Sequence, residues 1–231
     1  DKVRIVEAWQ RHDAICAMTG DGVNDAPALK KAEIGCAMGI TGTDVSKEAA
    51  DMILTDDNFS TIVSAVKEGR GIYDNIRKCV KYLLSSNIGE VLTIFVASLL
   101  GVVGVLTGDD TTPLAAMHLL WINLITDSLP AFGIGMEEAE DEIMLEKPRP
   151  KHEGFFANGY AVKIVLEGIV IGAVTLIAYL IGQNAPGYDH AQQHMIGQTM
   201  AFLTLSSTQL FHAYNVKSHH SVFNPKSYKN S

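Results

Sequence analysis

Four long apolar runs dominate the second half of the chain, whereas short apolar stretches alternate with polar ones in the first half. The runs cover residues 82–106, 114–136, 160–182 and 195–216. Each has about 20 residues or more, the length with which an α-helix crosses a ~30 Å hydrocarbon core. The pattern predicts an all-α bundle of four transmembrane helices over residues 79–216, followed by a tail over residues 217–231.

Residues 1–78 have the pattern of a soluble α/β segment. It predicts helices over 2–11, 25–32, 43–50 and 59–75, and strands over 14–18, 34–38 and 51–55. Short apolar strands that alternate with helices are typical of a doubly wound parallel sheet. Such sheets bind ligands beyond the carboxyl ends of their strands. The expected binding segment is therefore MTGDGVNDAPALK, which follows the first strand.

Of the connections that flank the apolar runs, only alternate ones contain basic residues. They precede the first run, separate the second from the third and follow the fourth: Arg77, Lys78, Lys81, Lys147, Arg149, Lys151, Lys217, Lys226 and Lys229. The other two connections, TGDDTTP and QNAPGYDHAQQH, contain no lysine or arginine. The positive-inside rule then predicts a multi-pass membrane protein whose N-terminal part, 137–159 loop and C-terminus are cytoplasmic.

Composition excludes several classes of protein. The net charge of −8 argues against a nucleic-acid partner, which requires basic surfaces. The three cysteines form no CxxC pair, so neither a zinc site nor a disulfide framework is indicated. Membrane lipid is the expected surrounding of the four apolar runs, and the 19% of charged residues is less than a soluble domain of this length normally carries. The chain begins with Asp1 instead of methionine, and we expect it to be a fragment.

Polar residues interrupt three of the apolar runs at helical spacing. They are Asn87 and Glu90 in the first run, Asn123, Thr126 and Asp127 in the second, and Gln209 in the fourth. A carboxylate at the bilayer centre costs about 2.5–3.5 kcal/mol on insertion scales, so such residues usually have a function. Pro130 lacks an N–H group, which leaves the Thr126 carbonyl without its usual donor. Gly89 and Gly133 are expected to ease local unwinding.

These side chains offer carboxylate, amide, hydroxyl and carbonyl oxygens, the ligands that a hard cation such as calcium prefers. Unwound backbone at the midplane is a known way for transporters to bind cations. The alternative is that Asn87, Asn123 and Gln209 only form hydrogen bonds between helices. That alternative does not suit the two carboxylates, Glu90 and Asp127, which need a cation or protons.

The segment MTGDGVNDAPALK contains the groups that hold magnesium and phosphate. Asp21 follows the first strand and Asp25 lies near a helix start, and two such carboxylates can bind magnesium. Backbone amides and Asn24 can contact a phosphate. Gly20 and Gly22 allow a tight turn. The alternative, a simple turn with a helix cap, does not account for the whole thirteen-residue run.

The segment TGDGVNDAPAL resembles the hinge signature of P-type ATPases, whose phosphorylation domain is of the haloacid dehalogenase type. The stretches DDNFSTIVSAVKEGRGIYDNI, SSNIGEV and LLWINLITDSLP are similar to those of the calcium-pump branch, which includes sarcoplasmic-reticulum-type and bacterial pumps. Sodium–potassium pumps carry an aspartate where Asn123 stands, and heavy-metal pumps use cysteines or histidines that these runs lack. The resemblance implies part of a haloacid-dehalogenase-like α/β domain, then the fifth to eighth transmembrane helices.

The resemblance also implies a role for individual residues. Asp21 is the magnesium ligand, and Thr19, Gly20 and Asp21 are the implied cofactor-binding residues. Asp25, Asn24 and Lys2 are catalytic, with Lys2 neutralising the aspartyl phosphate. The implied calcium ligands are Asn87, Glu90, Asn123, Thr126, Asp127 and Gln209, the last at a position where muscle-type pumps have a glutamate.

The resemblance implies ATP-driven calcium transport through an aspartyl-phosphate intermediate, with magnesium and ATP as cofactors and the plasma membrane as the expected location. The chain contains no DKTGT or TGES motif, so we expect the N-terminal part of the pump as a partner and no ATP hydrolysis by this chain alone. The alternatives are a membrane-anchored phosphatase of the haloacid dehalogenase type and a non-catalytic membrane protein derived from a pump.

Overall fold

The computed structural model describes residues 1–104, 106 and 112–217. Residue 105 of the predicted first span, residues 107–111 of the following connection and all of the predicted tail except Lys217 therefore lie outside the described residues. The chain forms two compact units. Unit 1 comprises Asp1–Gly71 and Ala139–Gly154, and unit 2 comprises Ile72–Glu138 and Phe155–Ser231.

Unit 1 is built on a small parallel sheet. The strands β1 (Ala17–Gly20), β2 (Ile34–Met38) and β3 (Met52–Leu54) lie in the order β1-β2-β3. Thr19 pairs with Cys36, and Ala37 pairs with Ile53. The helices of this unit are α1 (Lys2–Gln10), α2 (Ala26–Lys31), α3 (Asp44–Ala49) and the start of α4 (Phe59–Val102), with 3₁₀ turns at Val23–Asp25 and Asp141–Met144. The parallel sheet confirms the predicted α/β class.

The prediction for β1 was wrong by three residues at its start. Residues 11–14 close the C-terminal end of α1, where Asp13 has a positive φ of 57° and the Ala14 amide donates to the Trp9 carbonyl. The Cys16 amide then donates to the Glu33 carboxylate, so pairing with β2 begins only at Ala17. The shift extends β1 to Gly20, and Asp21 follows it directly.

The core of unit 1 lies between α2 and the sheet. Leu29, Cys36 and Ala37 are fully buried there. A Cβ at Gly35 would lie 2.6 Å from the Leu29 carbonyl oxygen, so only glycine lets β2 approach α2 this closely. The close packing holds the carboxyl ends of β1 and β2 in fixed positions.

Unit 2 is helical. It contains most of α4, then α5 (Ala116–Trp121), a π-helical segment (Ile122–Asp127), α6 (Ser128–Gly135), α7 (Tyr160–Gln183) and α8 (His190–Lys217). The 44-residue α4 contains no proline and joins the predicted 59–75 helix to the predicted first span without a break. It also passes through residue 78, the predicted domain limit, so the domain limits stay a prediction.

The expected unwinding lies at neither glycine. Helix α4 is continuous through Gly89, and Gly133 lies within α6. The irregular backbone is the π-helical segment from Ile122 to Asp127, just before Pro130. A missing proline N–H and a widened turn are common causes of an irregular helix.

Gly168 and Gly172, which have the GxxxG spacing typical of helix packing faces, form a close contact between α7 and α4. A Cβ at Gly172 would lie 3.0 Å from the Gly89 carbonyl oxygen, and one at Gly168 would lie 2.5 Å from Ile88. Gly89 itself would bring a Cβ to 2.7 Å from Ile171. Its role is therefore close helix packing and not unwinding.

Two of the described helices, α4 and α7, are long and apolar enough to cross a membrane. Helix α8 is long enough at 28 residues but less apolar, and the predicted second span consists of three consecutive shorter helical segments. The number of four spans stays a prediction.

Candidate functional sites

The first candidate site lies at the carboxyl end of β1 in unit 1. Asp21 follows the strand, the Val23–Asp25 turn comes next, and α2 begins at Ala26. Pro27 lies in the first turn of α2, where its missing N–H costs no helical hydrogen bond. The strand, turn and helix thus place Asp21, Asn24 and Asp25 together.

Asp25 is buried and already paired. Its Oδ1 accepts a hydrogen bond from Lys2 Nζ at 2.6 Å, and its Oδ2 accepts one from the Asp21 amide at 3.3 Å. The Lys2 ammonium lowers the pKa of the Asp25 carboxyl, against the opposing effect of burial. The structure therefore brings the predicted residues Lys2 and Asp25 into direct contact.

Gly20 is required for this arrangement. A Cβ at residue 20 would lie 2.5 Å from Asp25 Cβ and 3.0 Å from Asp25 Oδ2. Gly22 is less constrained, because a Cβ there would meet its nearest neighbour only at 4.0 Å. The last residue of β1 must lack a side chain so that Asp25 can fold back over the strand end.

The N-terminal end of α3 holds the backbone of Asp21. The Asp21 carbonyl accepts hydrogen bonds from the Thr43 amide at 2.8 Å and from Ser46 Oγ at 3.1 Å. Ser46 is fully buried. Sequence reasoning missed both residues, although the T-x-x-S spacing at a helix start is a signal for a cap. This backbone support leaves the side chains of Asp21 and Asn24 exposed.

The site can offer magnesium one carboxylate, that of Asp21. The Asp25 carboxylate is occupied by Lys2, so the exposed Asp21 carboxylate is the one available to an ion. Within the described ranges, no three histidine, cysteine or acidic side chains gather as a metal cluster. Magnesium accepts one or two carboxylates together with phosphate oxygens and water, so a single protein carboxylate suits it.

The second candidate site lies in unit 2, between α4, the π-helical segment and α8. Glu90 is buried at 4% exposure, and Gln209 is fully buried. Gln209 Nε2 donates to Glu90 Oε1 at 3.0 Å, and Asn123 Nδ2 donates to Glu90 Oε2 at 3.3 Å. Three predicted ligands from three helical segments therefore meet at one carboxylate.

Asp127 lies in the same unit, and its buried carboxylate lacks hydrogen-bond donors among the described residues. It is 2% exposed, and neither of its carboxylate oxygens accepts a hydrogen bond of good geometry in the part of the chain that the structure describes; the Tyr82 hydroxyl, which lies near this carboxylate, donates to the Thr126 carbonyl instead. Gln209 Oε1 is likewise buried without a partner among the described residues. A buried carboxylate without donors is costly. Both groups offer only acceptor oxygens, so the missing partner has a positive charge or donates protons.

Thr126 and Asn87 differ in how they relate to this site. The Thr126 carbonyl, freed by Pro130, accepts a hydrogen bond from Tyr82 Oη at 2.9 Å. Sequence reasoning missed Tyr82, since an aromatic residue near the end of a span is usually an interfacial anchor. Asn87 is exposed, and its Nδ2 donates to the Leu83 carbonyl at 2.7 Å, so the described helices do not bring it to Glu90.

Comparison with known proteins gives two family matches. Residues 111–231 match the family described as cation transporting ATPase, C-terminus, and residues 3–66 match haloacid dehalogenase-like hydrolase. The second match agrees with the parallel sheet of unit 1.

Individual relatives extend the match to nearly the whole chain. A calcium-transporting ATPase of Bacillus subtilis is 47% identical over 229 residues, which are 99% of this chain and 24% of the relative. Calcium-transporting ATPase 1 of Bacillus cereus is 48% identical over 94% of this chain and 25% of the relative. An endoplasmic reticulum-type calcium-transporting ATPase 3 of Arabidopsis thaliana is 48% identical over 78% of this chain and 17% of the relative.

The chain spans about a quarter of the length of the two bacterial relatives. The match to the C-terminal family covers more than half of the chain, and it includes the helices that carry Asp127 and Gln209. The chain therefore belongs to the family of cation-transporting ATPases, of which it contains the C-terminal region.

Proposed function

We propose that this chain is part of an ATP-driven calcium pump and that unit 2 binds the transported ion. The observation that carries the proposal is Asp127, a buried carboxylate without a hydrogen-bond partner among the described residues. Asp127 also lies close enough to Glu90 for the two carboxylates to interact electrostatically. Two carboxylates balance the charge of one divalent cation, and the names of the relatives support calcium.

The neutral ligands follow from the same geometry. Gln209 Oε1 is buried without a partner in the described ranges, and Asn123 and Gln209 both contact Glu90. Thr126 is also a proposed ligand, because it is buried and directly precedes Asp127. We retain Asn87 in the proposed ligand set because it lies one helical turn before Glu90, although its amide contacts Leu83 in this structure. Rotation about its side-chain bonds is then required for binding.

Unit 1 supplies the phosphate chemistry in this proposal. Asp21 holds magnesium, whose charge stabilises a transferring phosphoryl group. Thr19 and Gly20 position Asp21 at the end of β1. Lys2, anchored by Asp25, supplies a positive charge for the aspartyl phosphate, and the exposed Asn24 contacts the phosphoryl oxygens. ATP and the phosphorylated aspartate belong to the rest of the pump, which is the proposed partner.

The proposed location is a membrane, more specifically the plasma membrane, with unit 1 on the cytoplasmic side. Alternation of basic and non-basic connections supports this orientation. The two apolar helices α4 and α7 support the membrane itself.

The decisive experiment replaces Asp127 in the full-length pump. Asp127→Asn keeps the shape of the side chain but removes one of two charges that balance the ion. We expect the calcium concentration for half-maximal phosphorylation from ATP to rise at least about 100-fold, since breaking a buried charge pair costs about 3–5 kcal/mol. Gln209→Ala should raise it only about tenfold, because the charge balance remains intact.

Asp189→Asn is the matched control, since it makes the same chemical change at an exposed residue before α8. Its calcium response should equal that of the wild type. A near-normal calcium response of Asp127→Asn would show that Asp127 is structural, and the proposed ligand set would be wrong.

A further inference from the structure

A buried histidine in unit 2 belongs to neither candidate site. The His212 side chain is 9% exposed, and its ring stacks on Tyr82 with centroids 5.9 Å apart. Its Nε2 lies 2.7 Å from Ser85 Oγ and 3.8 Å from Glu167 Oε2. Histidine is the side chain whose charge changes most readily near neutral pH. A buried histidine beside a carboxylate is therefore a candidate for proton binding.

One carboxylate oxygen of Glu167 forms an ion pair, and the other has no hydrogen-bond partner among the described residues. Its Oε1 pairs with Lys81 Nζ at 2.7 Å, a different partner from Lys163, which lies four residues earlier and is the partner that helical spacing predicts. Its Oε2 is buried and has no hydrogen-bond partner among the residues described here. This oxygen is the one that faces His212. A proton on His212 would place a positive charge beside this second carboxylate oxygen.

Ser85 fixes which ring nitrogen takes up the proton. Its Oγ lies 2.7 Å from the Lys81 carbonyl oxygen and 3.1 Å from the Tyr82 carbonyl oxygen. We assign the single hydroxyl proton of Ser85 to the nearer Lys81 carbonyl, so that Oγ accepts from Nε2–H of His212. Nε2 is then protonated throughout, and Nδ1 is the nitrogen that titrates.

We infer that His212 and Glu167 form a proton-binding site beside the proposed cation site. His212 binds the proton at Nδ1, and the unpaired oxygen of Glu167 stabilises the imidazolium. The charged groups that act on His212 are Glu167 of α7, which is attractive, and Lys81 of α4, which is repulsive. Helix α6 contributes the apolar residues Ala131 and Ile134 to the cluster around Tyr82. The site therefore has one favourable and one unfavourable charge, and each can be removed separately.

Solid-state NMR of the full-length protein with ¹³C-labelled histidine tests the site without reference to transport. His212→Gln identifies the His212 signal by its loss, and His190→Gln, at an exposed residue, is the matched control and should remove a different signal. In the wild type the His212 signal should titrate between about pH 5 and 8. Glu167→Gln should lower the titration midpoint by about one pH unit, and Lys81→Gln should raise it.

Opposite shifts in these two variants would support the site, because a general loss of packing moves both midpoints in the same direction. A His212 signal that does not titrate, or a midpoint that Glu167→Gln leaves unchanged, would overturn the inference.

One consequence rests on the proposed function. Ser85 precedes Glu90 on α4 and His212 follows Gln209 on α8, so a bound proton adds positive charge to the helices that carry the cation ligands. Calcium affinity should therefore fall less on acidification in His212→Gln than in the wild type, by about threefold between pH 7.5 and 6. Equal losses of calcium affinity on acidification in His212→Gln and the wild type would overturn this consequence. The NMR titration tests the proton-binding site itself, even if the chain transports no calcium.

Discussion

Gly20 shows how a single residue type can be required by its neighbour across a turn. The Asp25 side chain folds back over the end of β1, and any Cβ at residue 20 would lie 2.5 Å from Asp25 Cβ. The contact is with the stem of a buried side chain held by Lys2, so it cannot relax without moving the Lys2–Asp25 pair.

Gly20→Ala should therefore destabilise unit 1 by about 1–3 kcal/mol, the usual cost of overpacking. It should also slow magnesium-dependent phosphorylation in the full-length pump, because Asp21 is the next residue. Thermal unfolding and phosphoenzyme formation measure the two effects. Gly69→Ala is the control, since a Cβ there has open space in α4 and should stabilise the helix by about 0.5–1 kcal/mol. Equal effects of both substitutions would contradict this account of Gly20.

At the scale of elements, helix packing in unit 2 depends on three glycines that bring α4 and α7 together. A Cβ at Gly168 would lie 2.5 Å from Ile88 and 2.9 Å from the Ser85 carbonyl oxygen. A backbone oxygen cannot rotate away as a side chain can. The two helices would have to separate, with a loss of close contact along the whole interface.

Gly168→Ala should lower the thermal unfolding midpoint of the full-length protein, with a cost of about 1–3 kcal/mol. Gly133→Ala makes the same change in α6, where no atom lies within 4 Å of the added Cβ, and should leave the midpoint nearly unchanged. Circular dichroism or fluorescence during heating gives the comparison. If Gly168→Ala were as stable as Gly133→Ala, the glycine contact between α4 and α7 would be too loose to determine their packing.

At the scale of the whole molecule, contacts between distant parts of the sequence hold unit 1 together. Glu33 accepts hydrogen bonds from the Cys16 amide at 3.0 Å, from Gln10 Nε2 at 3.1 Å and from Lys151 Nζ at 3.0 Å. The Cys16 amide, followed by the Gln10 and Lys151 side chains, lowers the pKa of the Glu33 carboxyl to about 2. Glu33 thus joins α1, β1 and the 139–154 segment.

This contact predicts a dependence of stability on pH. Because the pKa of Glu33 is lower in the folded protein, its contribution is full above the unfolded value of about 4.3 and is lost as the pH falls towards 2. Glu33→Gln should lower the free energy of unfolding at pH 7 by an amount on the order of 1 kcal/mol, since the site is near the surface. The difference from the wild type should shrink below about pH 4.3.

Glu48→Gln is the control for this pH series, since Glu48 is exposed on α3 and should show no difference at any pH. A difference for Glu33→Gln that stays constant from pH 7 to about pH 2.5 would mean that the ionised carboxylate is not the source of the stability.

The proposed orientation in the membrane is also a property of the whole molecule. Single cysteines in place of Glu140 and Asp189, introduced after the other cysteines are replaced, should react with an impermeant reagent from opposite sides. Labelling from the cytoplasmic side is expected at Glu140, in the basic connection, and from the other side at Asp189. The reverse pattern would contradict the positive-inside assignment and the proposed cytoplasmic position of unit 1.

Many of the helices and strands could be predicted from the sequence, because their formation depends on residues that are close together along the chain. Apolar runs predicted the helices α7 and α8 and the continuation of α4, and alternating short strands predicted the parallel sheet. The GxxxG spacing of Gly168 and Gly172 is typical of a helix packing face, but only the structure shows that α4 packs against it. Asp25 was predicted from its position near a helix start and Lys2 only through the family resemblance, and the structure shows that the two are in contact.

The sequence by itself determined where the carboxylates and the glycines lie along each helix or strand, since helical and strand periodicity are local properties. Only the tertiary structure decided which atoms meet. Tyr82 and the Thr126 carbonyl are 44 positions apart, and Gln209 and Glu90 are 119 positions apart. No local pattern encodes such pairs. The packing of α4, the π-helical segment and α8 brings them together and leaves Asp127 buried without a donor among the described residues.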